Sequence, residues 1–338
     1  MNKVLKPTIK DLIFSPIRPE HYPAAVDLIN AADREYTGHN TLSYDGLAND
    51  LNSMELEREV DTRGLFSPEG AMLGYADFWR GVAPHVRYFG FVRLHPQHRG
   101  KGIGTALTDW LEERAARQLA AAPDGLQVTL NMRAYAAQTN ARAFLESRGY
   151  VHVRSSYRMT IDLDAEIPQP VFPPEYTVRT IRPDDEDLRR VLQAEQEAFL
   201  DHYGVIPEPF EAYFKHRKHD LLNDPSIDFS ACYVVLAGEE VAGMVFNAVS
   251  LAGDETTGWV GTLSVRRPYR KQGLGLALLY QTFHEMHCRG RKRVGLYVDA
   301  ENLTGALRLY QKAGMRVDYE SCLYEKELRP GRVLANLG

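Results

Sequence analysis

Residues 265–279 read VRRPYRKQGLGLALL, in which a basic cluster precedes two glycines one residue apart and then a strongly apolar run. Residues 92–107, VRLHPQHRGKGIGTAL, repeat that order. Each pattern is typical of a strand that passes through a glycine turn into an amphipathic helix. The first turn of a helix has unpaired N–H groups, and the helix dipole adds partial positive charge there. With arginine and lysine beside it, each turn predicts a site for phosphate or pyrophosphate.

The two patterns belong to an internal repeat. Residues 14–32 resemble residues 177–199, since both contain an apolar start, Ile-Arg-Pro, acidic residues and a helical pattern. The separation is 164 residues at the Ile-Arg-Pro and 171 residues between Arg99 and Arg270. A nearly constant separation indicates duplication of one unit. The chain is long enough for two domains.

Each repeat predicts the same order of helices and strands and therefore a mixed α/β domain. We expect an N-terminal domain at residues 1–165 and a C-terminal domain at residues 175–330. Residues 166–174, EIPQPVFPP, contain four prolines and predict a stiff linker.

Composition excludes several classes of protein. The net charge of −5 over 338 residues gives no electrostatic footprint for nucleic acid. No run of apolar residues is long enough to span a membrane, and the three cysteines form no CxxC pair, so we expect a cytoplasmic protein. The HEMHC segment at 284–288 lacks the spacing of zinc hydrolases, so no metal site is expected. Either a monomer or a homodimer is compatible with the sequence.

The glycine turns match neither of two common phosphate motifs. A dinucleotide fingerprint needs a third glycine where Leu107 and Leu278 stand, and no GxxxxGK[S/T] run occurs. The pattern present twice is R-x-x-G-x-G between a strand and a helix.

In this pattern the chain resembles the GNAT family of N-acetyltransferases, with a tandem arrangement similar to that of the mycothiol synthases. A second element, ENLTGALRLYQKAGM at 301–315, resembles the downstream N-x-x-A-x-x-x-Y-x-x-x-G element of the family. The resemblance implies two domains, each a mostly antiparallel twisted sheet flanked by helices, and acetyl-CoA as co-substrate. It places the coenzyme A of the C-terminal domain against Leu263, Val265, Arg270, Lys271, Gly273, Leu274, Gly275 and Asn302. In the N-terminal domain it places a pyrophosphate against Arg99, Gly100, Gly102, Ile103 and Gly104.

The same resemblance implies that Tyr310 is the general acid. A primary amine of a small molecule would attack the thioester, and a tyrosine hydroxyl is a suitable donor to the departing thiolate. A backbone N–H would stabilise the oxyanion. The segment AFLDHYG at 198–204 resembles the acceptor side of tandem GNAT proteins, which makes Asp201 and His202 candidate acceptor-binding residues.

The chain departs from the family pattern in two places. Trp259 stands where a glutamate base is expected in mycothiol synthase-like proteins, and Asp254, Glu255, Asp299 and Glu301 are the nearby carboxylates. In the N-terminal repeat, Leu145 replaces the tyrosine and Ala137 the asparagine. We therefore expect turnover in the C-terminal domain. The alternative is a non-catalytic acyl-CoA sensor or scaffold of the same fold.

Overall fold

The computed structural model describes residues 11–53, 56–164, 166–200, 202–251, 254–301 and 305–334. These residues divide into two compact units. Unit 1 comprises the described residues up to Arg154 together with Ser321–Leu334, and unit 2 comprises those of Ser155–Glu320. Each unit has a mostly antiparallel sheet with helices packed on it, which confirms the predicted fold class.

Unit 1 begins with a strand and a helix and then completes five strands. The strands are β1 (Ile13–Ser15), β2 (Thr62–Phe66), β3 (Met72–Trp79), β4 (Arg87–Leu94) and β5 (Val128–Tyr135). The helices are α1 (Tyr22–Thr37), α2 (Tyr44–Leu51), α3 (Arg58–Asp61), α4 (Ile103–Ala116) and α5 (Thr139–Ser147). Strands β4 and β5 are parallel, and the other described pairs in this unit are antiparallel.

Unit 2 repeats this order. Its strands are β6 (Val151–Asp162), β7 (Tyr176–Thr180), β8 (Tyr233–Ala237), β9 (Glu240–Ala248), β10 (Thr257–Val265) and β11 (Arg293–Asp299). Its helices are α6 (Asp185–Phe199), α7 (Phe210–Asn223), α8 (Leu274–Cys288) and α9 (Ala306–Lys312). The strand order is β6-β11-β10-β9-β8-β7, with β10 and β11 parallel.

The last strand of each repeat lies in the sheet of the other unit. β6 pairs with β11, with Asp162 opposite Arg293. The final strand β12 (Arg316–Arg329) pairs with β5, with Ser321 opposite Tyr135. The bounds 1–165 and 175–330 instead keep each strand with its own repeat. An alternating pattern identifies a strand but not its partner, and duplication makes β5 and β11 equivalent edges.

Helices cover both faces of the unit 2 sheet. The amphipathic helix α8 packs on one face, where Leu278, Phe283 and Met286 contact the strand residues Val260 and Leu296 in one buried cluster. Helices α6 and α7 cover the other face through a second cluster that includes Leu188, Leu192, Phe214, Val234 and Phe246. Apolar burial on both faces fixes the sheet and leaves the carboxyl ends of β10 and β11 as the place for a site.

Candidate active site

Strands β10 and β11 separate part way along their length. They pair in parallel from Thr257 opposite Arg293 to Trp259 opposite Gly295, and in the described part of the chain their pairing ends there. A β-bulge at Gly261 interrupts the pairing of β10 with β9. Because a bulge bends its strand, β10 turns away from β11 and leaves backbone groups unpaired in the gap.

The glycine turn after β10 has the backbone conformation of an anion site. Gly273 is the N-cap of α8 with φ +87°, and Lys271 has φ +64°. A glycine at the N-cap offers no side chain to the first-turn N–H groups, so those groups remain available to a ligand. A positive φ is unfavourable for lysine, and such conformations persist where the surrounding structure imposes them, often at binding sites. Together these features form a cradle for phosphate.

Arg270 fixes the position of this turn. Its Nε donates to the Val265 carbonyl at 3.0 Å, and its Nη2 donates to the Ala198 carbonyl at 3.1 Å. These bonds tie the end of β10 to the last turn of α6. The side chain therefore positions the cradle as well as contributing charge to it.

A cavity of about 700 Å³ occupies the gap between the strands and reaches the glycine turn. Nearly all predicted C-terminal residues line it, namely Leu263, Val265, Arg270, Lys271, Gly273, Leu274, Gly275, Tyr310 and the acceptor-side His202. Asn302 and Asp201, the other two, lie outside the described residues. The structure thus brings the coenzyme A residues and Tyr310 to one cavity.

Tyr310 lies on α9 and faces this cavity while being 8% exposed. Among the described residues, none hydrogen-bonds its hydroxyl group. Burial raises the pKa of Tyr310 to about 12, because an apolar environment disfavours the phenolate. The group is therefore a protonated donor without a protein acceptor, as a general acid requires.

Trp259 occupies the end of the paired segment of β10, where the sequence lacks the expected glutamate. Its ring lies 4.9 Å from that of Tyr297 and passes close to Gly295, where an added Cβ would meet the indole at 2.6 Å. Two side chains that line the cavity, His202 and Asp299, have groups that can take a proton. His202 also packs edge-on against Phe199 at 4.3 Å.

Unit 1 contains a matching turn and a cavity of about 490 Å³. Gly100 and Gly102 have φ +71° and +80°, so the turn has the same conformation as Lys271 and Gly273. The predicted residues Arg99, Gly100, Gly102 and Gly104 line the cavity, but Ile103 does not. Ile103 is 2% exposed and packs in the core beneath α4, because the residue after the N-cap begins the buried face of the helix.

The unit 1 site differs from the unit 2 site in its polar groups. Arg99 forms an ion pair with Glu35 rather than bonding to backbone carbonyls. Leu145, in the place of Tyr310, lines the cavity and has no proton to donate. The pairing of β4 with β3 continues without a bulge. On β4, Arg93 forms an ion pair with the buried Asp33 of α1.

Sequence reasoning missed Thr262, which lines the unit 2 cavity directly after the bulge. Arg217 of α7 donates to its hydroxyl at 3.3 Å and to Glu195 of α6 at 2.8 Å. Gly261 inside a strand pattern was the available signal, since a glycine there often marks a bulge. No local pattern indicates that α6 and α7 bring a charged pair to that point.

Two absences apply to the part of the chain that the structure describes. None of its helices is long and apolar enough to cross a membrane. Within the same residues, no group of three or more histidine, cysteine, aspartate or glutamate side chains is arranged to hold a metal ion.

Comparison with known proteins agrees with this geometry. The model of the acetyltransferase (GNAT) family matches residues 29–150 and 188–315, which include both glycine turns. A mycothiol acetyltransferase of Streptomyces bingchenggensis is 28% identical over 77% of this chain and 79% of its own length. One from Streptomyces scabiei is 29% identical over 68% of both chains.

Two solved structures extend the likeness over the whole chain. A GCN5-related N-acetyltransferase from Sphaerobacter thermophilus is 31% identical, with a TM-score of 0.81 over 97% of this chain and 99% of the other. A tandem GNAT protein from the clavulanic acid biosynthesis pathway is 17% identical, with a TM-score of 0.72 over 95% of this chain and 100% of the other. The second likeness concerns the fold alone.

Proposed function

We propose a reaction for this chain on one premise: it belongs to the acetyltransferase (GNAT) family and is an N-acetyltransferase. It transfers the acetyl group of acetyl-CoA to a primary amine of a small molecule, by direct attack on the thioester. Turnover takes place in unit 2, with Tyr310 as general acid. The observation that carries this proposal is the exposure of the Tyr310 hydroxyl to the same cavity as the glycine turn.

The cradle binds the coenzyme A pyrophosphate. N–H groups at the start of α8 donate to its oxygens, and Lys271 adds a charge beside them. Leu263 and Val265 lie along the open edge of β10, where their backbone groups suit the amides of the pantetheine arm. Asn302 is proposed to reach that arm as well.

The chemical step needs three groups. The amine nitrogen adds to the thioester carbon, and a backbone N–H of β10 in the gap stabilises the oxyanion. As the C–S bond breaks, Tyr310 donates its proton to the thiolate. Since both reactants are held in one cavity, proximity supplies much of the acceleration.

The amine must reach the thioester uncharged. With Trp259 in the place of the expected glutamate, proton removal falls to His202 or Asp299 through water, since both line the cavity. Asp201 is proposed to hold the ammonium form on arrival. The names of the relatives suggest a mycothiol precursor as acceptor, whereas Trp259 favours a different small amine.

Unit 1 is proposed to bind acetyl-CoA without turnover, because it has the glycine turn but Leu145 in the place of Tyr310. The non-catalytic alternative thus applies to this unit alone.

The test is isothermal titration calorimetry of the intact protein with acetyl-CoA, followed by thiol release in the presence of a panel of primary amines. Gly273→Glu should remove binding in unit 2 and Gly102→Glu binding in unit 1. Absence of binding at high micromolar acetyl-CoA would contradict the proposal, as would thiol release that persists unchanged in Gly273→Glu.

A further inference from the structure

Thr262 stands at the point where β10 leaves β11. It is the first residue after the bulge and lines the cavity. Arg217 Nη2 donates one hydrogen bond to Thr262 Oγ1 at 3.3 Å and another to Glu195 Oε1 at 2.8 Å. One side chain of unit 2 therefore connects the β-bulge to both helices on that face of the sheet.

The Arg217–Glu195 pair is held firmly. The Glu195 side chain is 3% exposed and that of Arg217 is 23% exposed. The pKa of Arg217 is raised chiefly by the Glu195 carboxylate, which outweighs the opposing effect of burial. Arg217 is thus always charged, and Thr262 always has a cationic donor behind its oxygen.

The hydrogen-bonding capacity of Thr262 is only partly used. A hydroxyl group has one proton to donate and two lone pairs, and Arg217 occupies one lone pair. Among the described residues, none accepts the hydroxyl proton. A cationic donor to the oxygen polarises the O–H bond and strengthens it as a donor. The cavity therefore contains a preorganised, polarised donor that no protein group satisfies.

We propose that Thr262 is a second catalytic hydrogen-bond donor, which binds the acyl carbonyl oxygen, and that Arg217 is its positioning residue. This inference rests on the proposed function. When the amine nitrogen bonds to the thioester carbon, the carbonyl π pair moves onto oxygen, and Thr262 stabilises that charge without losing its proton. The pair then re-forms the carbonyl as the C–S bond breaks, and the thiolate takes the Tyr310 proton.

Unit 1 provides an internal comparison. With the glycine turns aligned, Thr262 corresponds to Phe91, just as the Tyr310 position corresponds to Leu145. In unit 1 both hydroxyl groups are replaced by apolar side chains, and β4 has no bulge. Loss of the two donors together is expected if both act on the same reacting group.

The test measures the carbonyl of bound [1-¹³C]acetyl-CoA in the intact protein. A hydrogen bond to the carbonyl oxygen moves the ¹³C resonance downfield and lowers the C=O stretching frequency. Thr262→Val, which keeps the shape but removes the hydroxyl, should reverse both changes. Thr262→Ser, which keeps the hydroxyl, should retain them. The unit 2 resonance is the one that Gly273→Glu removes.

The outcomes separate the two proposals. No bound resonance that depends on Gly273 would overturn the proposed function and this inference with it. A bound resonance that is identical in Thr262→Val and the unsubstituted protein would overturn this inference alone. For any amine that is acetylated, Thr262→Val should lower kcat about 100- to 1,000-fold with little change in the KM for acetyl-CoA.

Arg217 is tested through the same carbonyl signal. The double variant Glu195→Gln with Arg217→Met removes both charges and avoids leaving one unpaired. It should shift the resonance part of the way toward that of Thr262→Val. An unshifted resonance in a folded double variant would contradict the positioning role.

Discussion

At the residue scale, the chemistry of unit 2 depends on the surroundings of the Tyr310 hydroxyl. Burial alone raises its pKa to about 12, so the group stays protonated at neutral pH. A carboxylate within hydrogen-bonding distance would have competed with the substrate for that proton. The apolar setting therefore supplies both the protonation state and the availability that acid catalysis needs.

Tyr310→Phe should abolish most turnover while preserving acetyl-CoA binding. Only the hydroxyl is removed, and general acid catalysis contributes about 100- to 10,000-fold. Calorimetry measures the affinity, and thiol release measures kcat. Turnover within a factor of two of the unsubstituted protein would remove Tyr310 from the mechanism.

The pH dependence of kcat follows from the raised pKa. A tyrosine acid loses activity as pH rises through its pKa, which here is about 12. We therefore expect no fall in kcat between pH 8 and pH 10 that depends on Tyr310. The opposite finding would be an alkaline decrease near pH 9 in the unsubstituted protein that is absent from Tyr310→Phe.

At the scale of elements, each glycine turn combines an unusual backbone conformation with open space. A Cβ added at Gly273 or at Gly102 would meet no atom within 4 Å, although φ is +87° and +80°. These glycines are therefore required for their conformation and for ligand approach, and not for packing.

Gly273→Ala should cost about 1–2 kcal/mol, because an alanine must adopt the left-handed region, and should weaken acetyl-CoA binding in unit 2. Gly102→Ala is the matched control, with a similar cost and an effect confined to unit 1. Urea denaturation and calorimetry measure the two effects. Equal weakening at both sites by either variant would be inconsistent with two separate cradles.

The two turns should respond differently to pH. Burial, Lys101 and His95 lower the pKa of His98, so this imidazole is neutral at pH 7 and gains charge as pH falls. Tyr269 and Arg266 occupy the positions of His98 and His95 in unit 2, and neither titrates near pH 6. Acetyl-CoA affinity in unit 1 should therefore increase from pH 7 to pH 5, as measured in Gly273→Glu. The same increase in Gly102→Glu would contradict this assignment.

Much of the candidate site could be predicted from sequence because its elements are local. The glycine turn and the helix after it depend on neighbouring residues, so spacing alone indicates them. Thr262 and Arg217 could not be predicted in this way, since they lie 45 residues apart and meet only when α7 packs on the sheet. Ile103 illustrates a smaller error, because a motif position does not say whether the backbone or the side chain faces the ligand.

At the scale of the whole molecule, the exchange of last strands links the two halves in one folding reaction. Each sheet is complete only with a strand from the other repeat. Duplication explains why sequence did not indicate this, since β6 and β12 are both suitable for either edge. Pairing between distant segments is a matter of global competition and not of local propensity.

We expect urea to unfold both units in a single transition. Of the three tryptophans, Trp79 and Trp110 report on unit 1 and Trp259 on unit 2. Variants that retain Trp79 alone or Trp259 alone should give coincident fluorescence transitions, because neither sheet persists without the other repeat. Midpoints that differ clearly between the two probes would show that the units unfold independently.

The exchanged strand also sets the timing of folding during synthesis. β5 ends at Tyr135, and its partner β12 begins at Arg316. At roughly 5–20 residues per second, a ribosome takes on the order of ten to forty seconds to make the intervening chain. For that time the first half of the nascent protein exposes an unpaired strand edge, which invites association with other chains. Translation rate and chaperone protection should therefore affect the yield of this protein more than that of a single-domain relative.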